Sequence, residues 1–107
     1  MPVGILLSIA IASEVAATIA LRYSRGFSEP VPSVIVVAGY TLSFVLLSLV
    51  LKELSVGTTY AIWAGAGTAL IALIGVIALG EPATALKLGS IALIIAGVIG
   101  LNLTGAH

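Results

Sequence analysis

Glu14 is the residue of this sequence best placed to do chemistry. It lies in an unbroken apolar run, with Ser13 and Val15 beside it. The other charged residues (Arg22, Arg25, Glu29, Lys52, Glu53, Glu81 and Lys87) fall between or at the ends of such runs. A charge at the centre of a membrane span costs about 2.5–3.5 kcal/mol on insertion scales, and such residues face a protein interior or a water-filled cavity. No Lys or Arg occupies the interior of another apolar run, so no ion pair within the chain offsets that cost. Desolvation disfavours the carboxylate. Glu14 therefore reads as a site that takes up a proton and whose missing positive partner is a ligand. The alternative is a protonated, structural acid hydrogen-bonded to another helix.

Helical spacing gives Glu14 its neighbours. Residues three, four and seven away share its face, namely Leu7, Ala10, Ile11, Ala17, Thr18 and Leu21. Ala10, Ala17 and Thr18 are small, which permits close helix approach or leaves space for a substrate. Tyr60 and Trp63 also share a helical face. They form either an aromatic surface for an organic cation or an anchor at the membrane boundary. Tyr40 lies mid-way along its run and must place its hydroxyl somewhere polar. Gly65 and Gly67 allow either close helix approach or a bend.

These residues need elements to hold them, and composition says which. Of 107 residues, 61% are hydrophobic and 7% are charged. A soluble domain carries about 25% charged residues. The mean hydropathy of +1.33 points the same way. A disordered chain would show the opposite balance. The expected solvent is a lipid bilayer. A helix needs about 20 apolar residues to cross it, and four runs qualify, at about 3–21, 32–51, 58–79 and 86–103. Helical spans satisfy their own backbone within lipid, whereas a barrel would show alternating segments of about 10 residues. The expected fold is all-α and integral to the membrane: one four-helix transmembrane domain over residues 1–107, with short loops and both termini on one side. The first run contains Glu14 and lacks a basic leader, so it reads as a span rather than a cleaved signal.

Charge leaves the orientation open. Arg22, Arg25 and Lys87 share one membrane side and Lys52 takes the other. The positive-inside rule puts the first and third loops in the cytoplasm, by a small bias that suits insertion either way. In the fourth run, Ser90 and Gly97 lie one heptad apart, and Ala92, Ala96 and Gly100 form a ladder of small residues. This strip serves dimerisation or packing within the chain. The formal net charge is zero, so no nucleic acid partner is expected. Cysteine is absent and His107 is the sole histidine, so neither a metal nor a cofactor is expected. No nucleophile–base pair or phosphate loop suggests an enzyme.

Taken in order, the motifs resemble the small multidrug resistance family. They are Ala10-x-x-x-Glu14, Arg22-Tyr23-Ser24-Arg25-Gly26-Phe27, Pro32-Ser33, Tyr40, Ser43-Phe44, Gly57, Tyr60-Ala61-Ile62-Trp63-Ala64-Gly65-Ala66-Gly67, Glu81-Pro82 and Asn102. The resemblance spans essentially the whole chain. It implies a proton-coupled exporter of cationic compounds in the bacterial cytoplasmic membrane, working as an antiparallel homodimer with Glu14 of both protomers in a shared site. It further implies that Ala10, Thr18, Tyr40, Ser43, Leu47, Tyr60 and Trp63 line the substrate site. Gly65 and Gly67 match its bending segment, and the fourth helix, with Ser90 and Gly97, its dimer contact; Ser90 stands where the family often has Gly. A guanidinium-exporting branch is expected to carry Gly, Trp and Lys where this chain has Ile11, Ala17 and Asn102. The resemblance thus favours the branch exporting lipophilic and quaternary ammonium cations. The rival expectations are a guanidinium exporter, a structural or regulatory subunit needing a partner, and a passive cation pore.

Overall fold

A computed structural model describes residues 2–104. Within them the chain forms four helices: α1 (Val3–Tyr23), α2 (Pro30–Val50), α3 (Val56–Ala78) and α4 (Ala85–Leu103). All four are long and apolar enough to cross a membrane. They contain 19 to 23 residues, so at 1.5 Å per residue they extend about 28–35 Å, the thickness of a hydrocarbon core. The described residues contain no strand. His107 lies outside the described residues.

The helix ends differ from the expected ones by one or two residues, for local reasons. Arg22 and Tyr23 continue α1, because a cation favours a helix C-terminus. Pro30 opens α2 at a first-turn position, where its missing N–H leaves no bond unmade. Pro32 then falls within the same first turn. Gly57 lies inside α3 rather than before it, since Ser55 is the extended cap residue.

The helices pair as two compact hairpins, Met1–Glu53 and Leu54–His107. In the first, α1 and α2 meet over small residues. A methyl group added at Gly39 would lie 2.8 Å from the Ala17 Cβ and 3.1 Å from the Ser13 carbonyl oxygen. Only glycine lets the backbones come this close. One turn further on, the fully buried Ser43 donates through Oγ to the Ala10 carbonyl at 2.7 Å. The connection between the helices turns sharply. Arg25, Gly26 and Phe27 all have positive φ, at 48°, 71° and 66°. Ser24, also fully buried, donates to the Leu21 carbonyl and accepts the Phe27 N–H.

In the second hairpin, Gly65 of α3 faces Val98 and Ile94 of α4. A Cβ there would lie 2.8 Å from a Val98 methyl. The left-handed Gly80, at φ 71°, reverses the chain after α3, so the Glu81 N–H reaches the Gly75 carbonyl at 3.0 Å. Thr84 caps α4 by accepting the Lys87 N–H at 3.1 Å. Lys87 Nζ lies 3.1 Å from Glu81 Oε1. That ion pair is partly exposed, so screening leaves it a small contribution of about 0–1 kcal/mol. Large apolar side chains are exposed on every helix, among them Val31, Val37, Ile77, Leu86 and Leu103. This outward apolar surface suits lipid, not water.

Candidate functional site

The first hairpin assembles a polar cluster inside an apolar pair of helices. Leu7, Ala10 and Ala17 of α1 are buried, as their shared face with Glu14 predicts, while Leu21, near the helix end, is exposed. Glu14 is half-buried on that face. Thr18, one turn along α1, donates through Oγ1 to Glu14 Oε1 at 3.0 Å. The same Thr18 oxygen lies 2.5 Å from the Tyr40 hydroxyl of α2. Tyr40 thereby finds the polar partner its position demands, and its ring stacks with Phe44 at 6.4 Å between centroids. The close approach at Gly39, the residue before Tyr40, brings that hydroxyl within reach of α1.

Glu14 Oε2 is buried and has no hydrogen-bond partner among the described residues. Buried polar atoms left unpartnered are rare and costly. No Lys or Arg forms an ion pair with Glu14; the ion pair among the described residues is Lys87–Glu81. A carboxyl group without a counter-charge can take a proton or a cation brought from outside. Thr18 holds Oε1, and Oε2 carries no hydrogen bond among the described residues.

The hairpin joins four of the expected lining residues in two pairs, Thr18 with Tyr40 and Ala10 with Ser43. Ala10 and Ser43 are buried where α1 meets α2, and Leu47, one turn on from Ser43, is buried as well. Ala17 is likewise buried against Gly39. Of the two uses its small size allows, the structure shows close helix approach.

In the second hairpin, Tyr60 and Trp63 form a tilted aromatic pair, 5.6 Å between centroids and 45° between planes. Tyr60 is exposed and Trp63 half-buried. Gly65 accommodates Val98, and α3 runs as continuous helix through Gly65 and the buried Gly67. An apolar groove of about 270 Å³ lies between α3 and α4, along Ala66, Leu70, Leu73, Ile95 and Val98. It carries no polar side chain, so it offers nothing to bind a charge. On α4, Ser90 and Gly97 are exposed, as are Ala92, Ala96 and Gly100. Ser90 donates to the Leu86 carbonyl of its own helix, and a Cβ at Gly97 or Gly100 would meet open space. The α3–α4 contact at Gly65 uses Val98 and Ile94 instead of this strip.

Three features escaped the sequence reading. The Gly39 contact had a faint signal, a glycine beside a mid-span tyrosine. The Ser24 bridge and the Glu81–Lys87 pair had none, because both depend on how a loop folds back.

The small multidrug resistance protein family matches residues 4–94. The multidrug resistance protein mmr of Mycolicibacterium paratuberculosis is 46% identical over 99 residues, covering 92% of each chain. The guanidinium exporter of Escherichia coli K12 is 45% identical over 100 residues, covering 94% of this chain and 95% of that protein. A multidrug transporter of Pseudomonas aeruginosa is 46% identical over 97 residues, covering 91% and 88% respectively. Four lipid-length helices, a lone intramembrane acid and these similarities define a small membrane transport protein. The chain belongs to the small multidrug resistance family, and it is a multi-pass integral protein of the bacterial inner membrane.

Proposed function

We propose that this chain is a proton-coupled antiporter that exports lipophilic and quaternary ammonium cations, with proton and drug competing for Glu14. The observation that carries this reading is the half-buried Glu14, with Oε1 held by Thr18 and Oε2 buried and unpartnered. The working unit is an antiparallel homodimer, and no enzymatic step is involved. Glu14 of each protomer contributes to one site. Two neighbouring carboxylates resist joint ionisation, so the pair titrates as one coupled system. A lipophilic cation displaces protons on one side of the membrane, and protons displace the cation on the other. If both acids discharge in each cycle, two protons exchange for one monovalent cation. Tyr40, Tyr60 and Trp63 supply aromatic faces for the cation. Gly65 and Gly67 let α3 bend between the two access states, and the open α4 strip with Ser90 and Gly97 joins the protomers. The weak charge bias of Arg22, Arg25 and Lys87 against Lys52 suits subunits inserted in opposite senses.

A second reading has its own support: the relative from E. coli is named a guanidinium exporter at 45% identity. Ile11, Ala17 and Asn102 favour the drug reading. The two are separated in liposomes loaded with this protein under an imposed proton gradient. The drug reading expects proton-coupled uptake of tetraphenylphosphonium and little response to guanidinium. The reverse ranking would hand the assignment to guanidinium. Flux that does not saturate with substrate would mark a pore.

Trp63→Ala tests the aromatic assignment. It is expected to weaken binding of tetraphenylphosphonium by about 5–30-fold, from the loss of roughly 1–2 kcal/mol of cation–π contact. Tetramethylammonium, with less surface to stack, should lose much less. Titration of both ligands by calorimetry reads the difference, and equal losses would make Trp63 an anchor.

A further inference from the structure

We infer that Thr18 and Tyr40 form a positioning pair that makes the two oxygens of Glu14 unequal, reserving Oε2 for exchange. This deepens the antiporter reading and rests on it. The Thr18 hydroxyl has one hydrogen and two partners, Glu14 Oε1 at 3.0 Å and the Tyr40 hydroxyl at 2.5 Å. An ionised carboxylate can only accept. Thr18 must then donate to Oε1, and Tyr40 must donate to Thr18. The order Tyr40 to Thr18 to Glu14 is imposed by the acceptor at its end.

The order also determines where a proton lands. Oε1 already receives the Thr18 hydrogen bond on one of its two lone pairs, and a proton on that same pair would require both hydroxyls to turn round. Oε2 is buried and unpartnered, so a proton there leaves the chain of donors intact. Thr18 and Tyr40 thus act through Glu14: they hold one oxygen and leave the other to exchange. Among titratable side chains on α2, the helix packed against α1, Tyr40 is the sole member. On α1 itself the others are Arg22 and Tyr23, both exposed in the last turn. Neither makes a hydrogen bond or ion pair with Glu14.

A hydroxyl donor interacts more strongly with a carboxylate than with a neutral acid. Removing the Thr18 hydroxyl should let protons compete better against the cation. The experiment is tetraphenylphosphonium binding to the purified full-length protein across pH, for wild type, Thr18→Val, Thr18→Ser and Tyr40→Phe. Thr18→Val keeps the shape and loses the hydroxyl. It should move half-maximal binding upward by about one pH unit, as a hydrogen bond to a charged group implies. Thr18→Ser should restore the wild-type midpoint. Tyr40→Phe should shift it upward by less, and adding it to Thr18→Val should change nothing further. An unmoved midpoint in Thr18→Val, or a Ser variant that shifts as far as Val, overturns the inference. If Thr18→Val is not recovered folded, Tyr40→Phe carries the same test.

A second readout needs no cation. The infrared band of the protonated Glu14 carboxyl, isolated by subtracting the Glu14→Gln spectrum, is followed against pH. Its midpoint should rise in Thr18→Val and return in Thr18→Ser. Should wild type show no pH-linked tetraphenylphosphonium binding, the antiporter reading falls, and this band alone decides the positioning role.

Discussion

Glu14→Gln is expected to abolish proton-coupled export and to flatten the pH dependence of cation binding. The substitution preserves size and hydrogen bonding, so it removes charge and titration while leaving the helix contact in place. Thr18 can still donate to the amide oxygen, as it does to Oε1 in the wild type. What disappears is the negative charge that a cation would meet. Losing an interaction with a charged group costs about 1.5–3 kcal/mol, so tetraphenylphosphonium binding should weaken by about 10–150-fold. The sign of the pH effect is equally specific. On the antiporter reading, binding to the wild type should strengthen as pH rises. In the Gln variant it should not respond. Binding and proton release are read together by calorimetry in buffers of different ionisation enthalpy. Proton-dependent export retained by Glu14→Gln would sink the mechanism.

Gly39→Ala should be the most damaging single-methyl change in the first hairpin. The added carbon would lie 2.8 Å from the Ala17 Cβ and 3.1 Å from the Ser13 carbonyl oxygen. Neither neighbour is the free end of a flexible side chain, so α1 and α2 must separate. Overpacking of this kind costs about 1–3 kcal/mol. The separation reaches the functional cluster, because the Tyr40–Thr18 and Ser43–Ala10 hydrogen bonds cross the same interface. Thermal unfolding in detergent should show the loss, and the pH midpoint of cation binding should move as it does for Thr18→Val. Ala17→Gly added to Gly39→Ala removes the opposing methyl and should recover part of the stability. Gly57→Ala, where a Cβ meets open space, is the control and should be nearly neutral. If Gly39→Ala behaved like that control, the close approach would not be what aligns the cluster.

Much of the protein is legible before any coordinate is known. Four apolar runs of membrane length can only be helices, because lipid offers the backbone no other partner. Their ends follow from prolines, glycines and charges, to within one or two residues. Glu14 stands out as the candidate site, since an acid without a counter-charge in such a run is costly to keep. Its helical neighbours also follow, because Ala10, Ala17 and Thr18 share its face by spacing alone.

What the pattern does not contain is the rotation of one helix against another. In a soluble helix an apolar stripe reveals the buried face. Here the helices are apolar all round, as the exposed Val31, Val37, Ile77 and Leu103 show, so no stripe points inward. Sequence therefore placed Tyr40 mid-span and required a partner for its hydroxyl, without saying which. The tertiary structure supplied Thr18, through the close approach that Gly39 allows. It also set Ala17 in close contact with Gly39. And it distinguished two oxygens that are identical in the free side chain. Composition and spacing determined that this chain carries one acid through a membrane; packing between α1 and α2 decided which oxygen of that acid stays held by Thr18, because only contact across helices breaks the symmetry of a carboxylate.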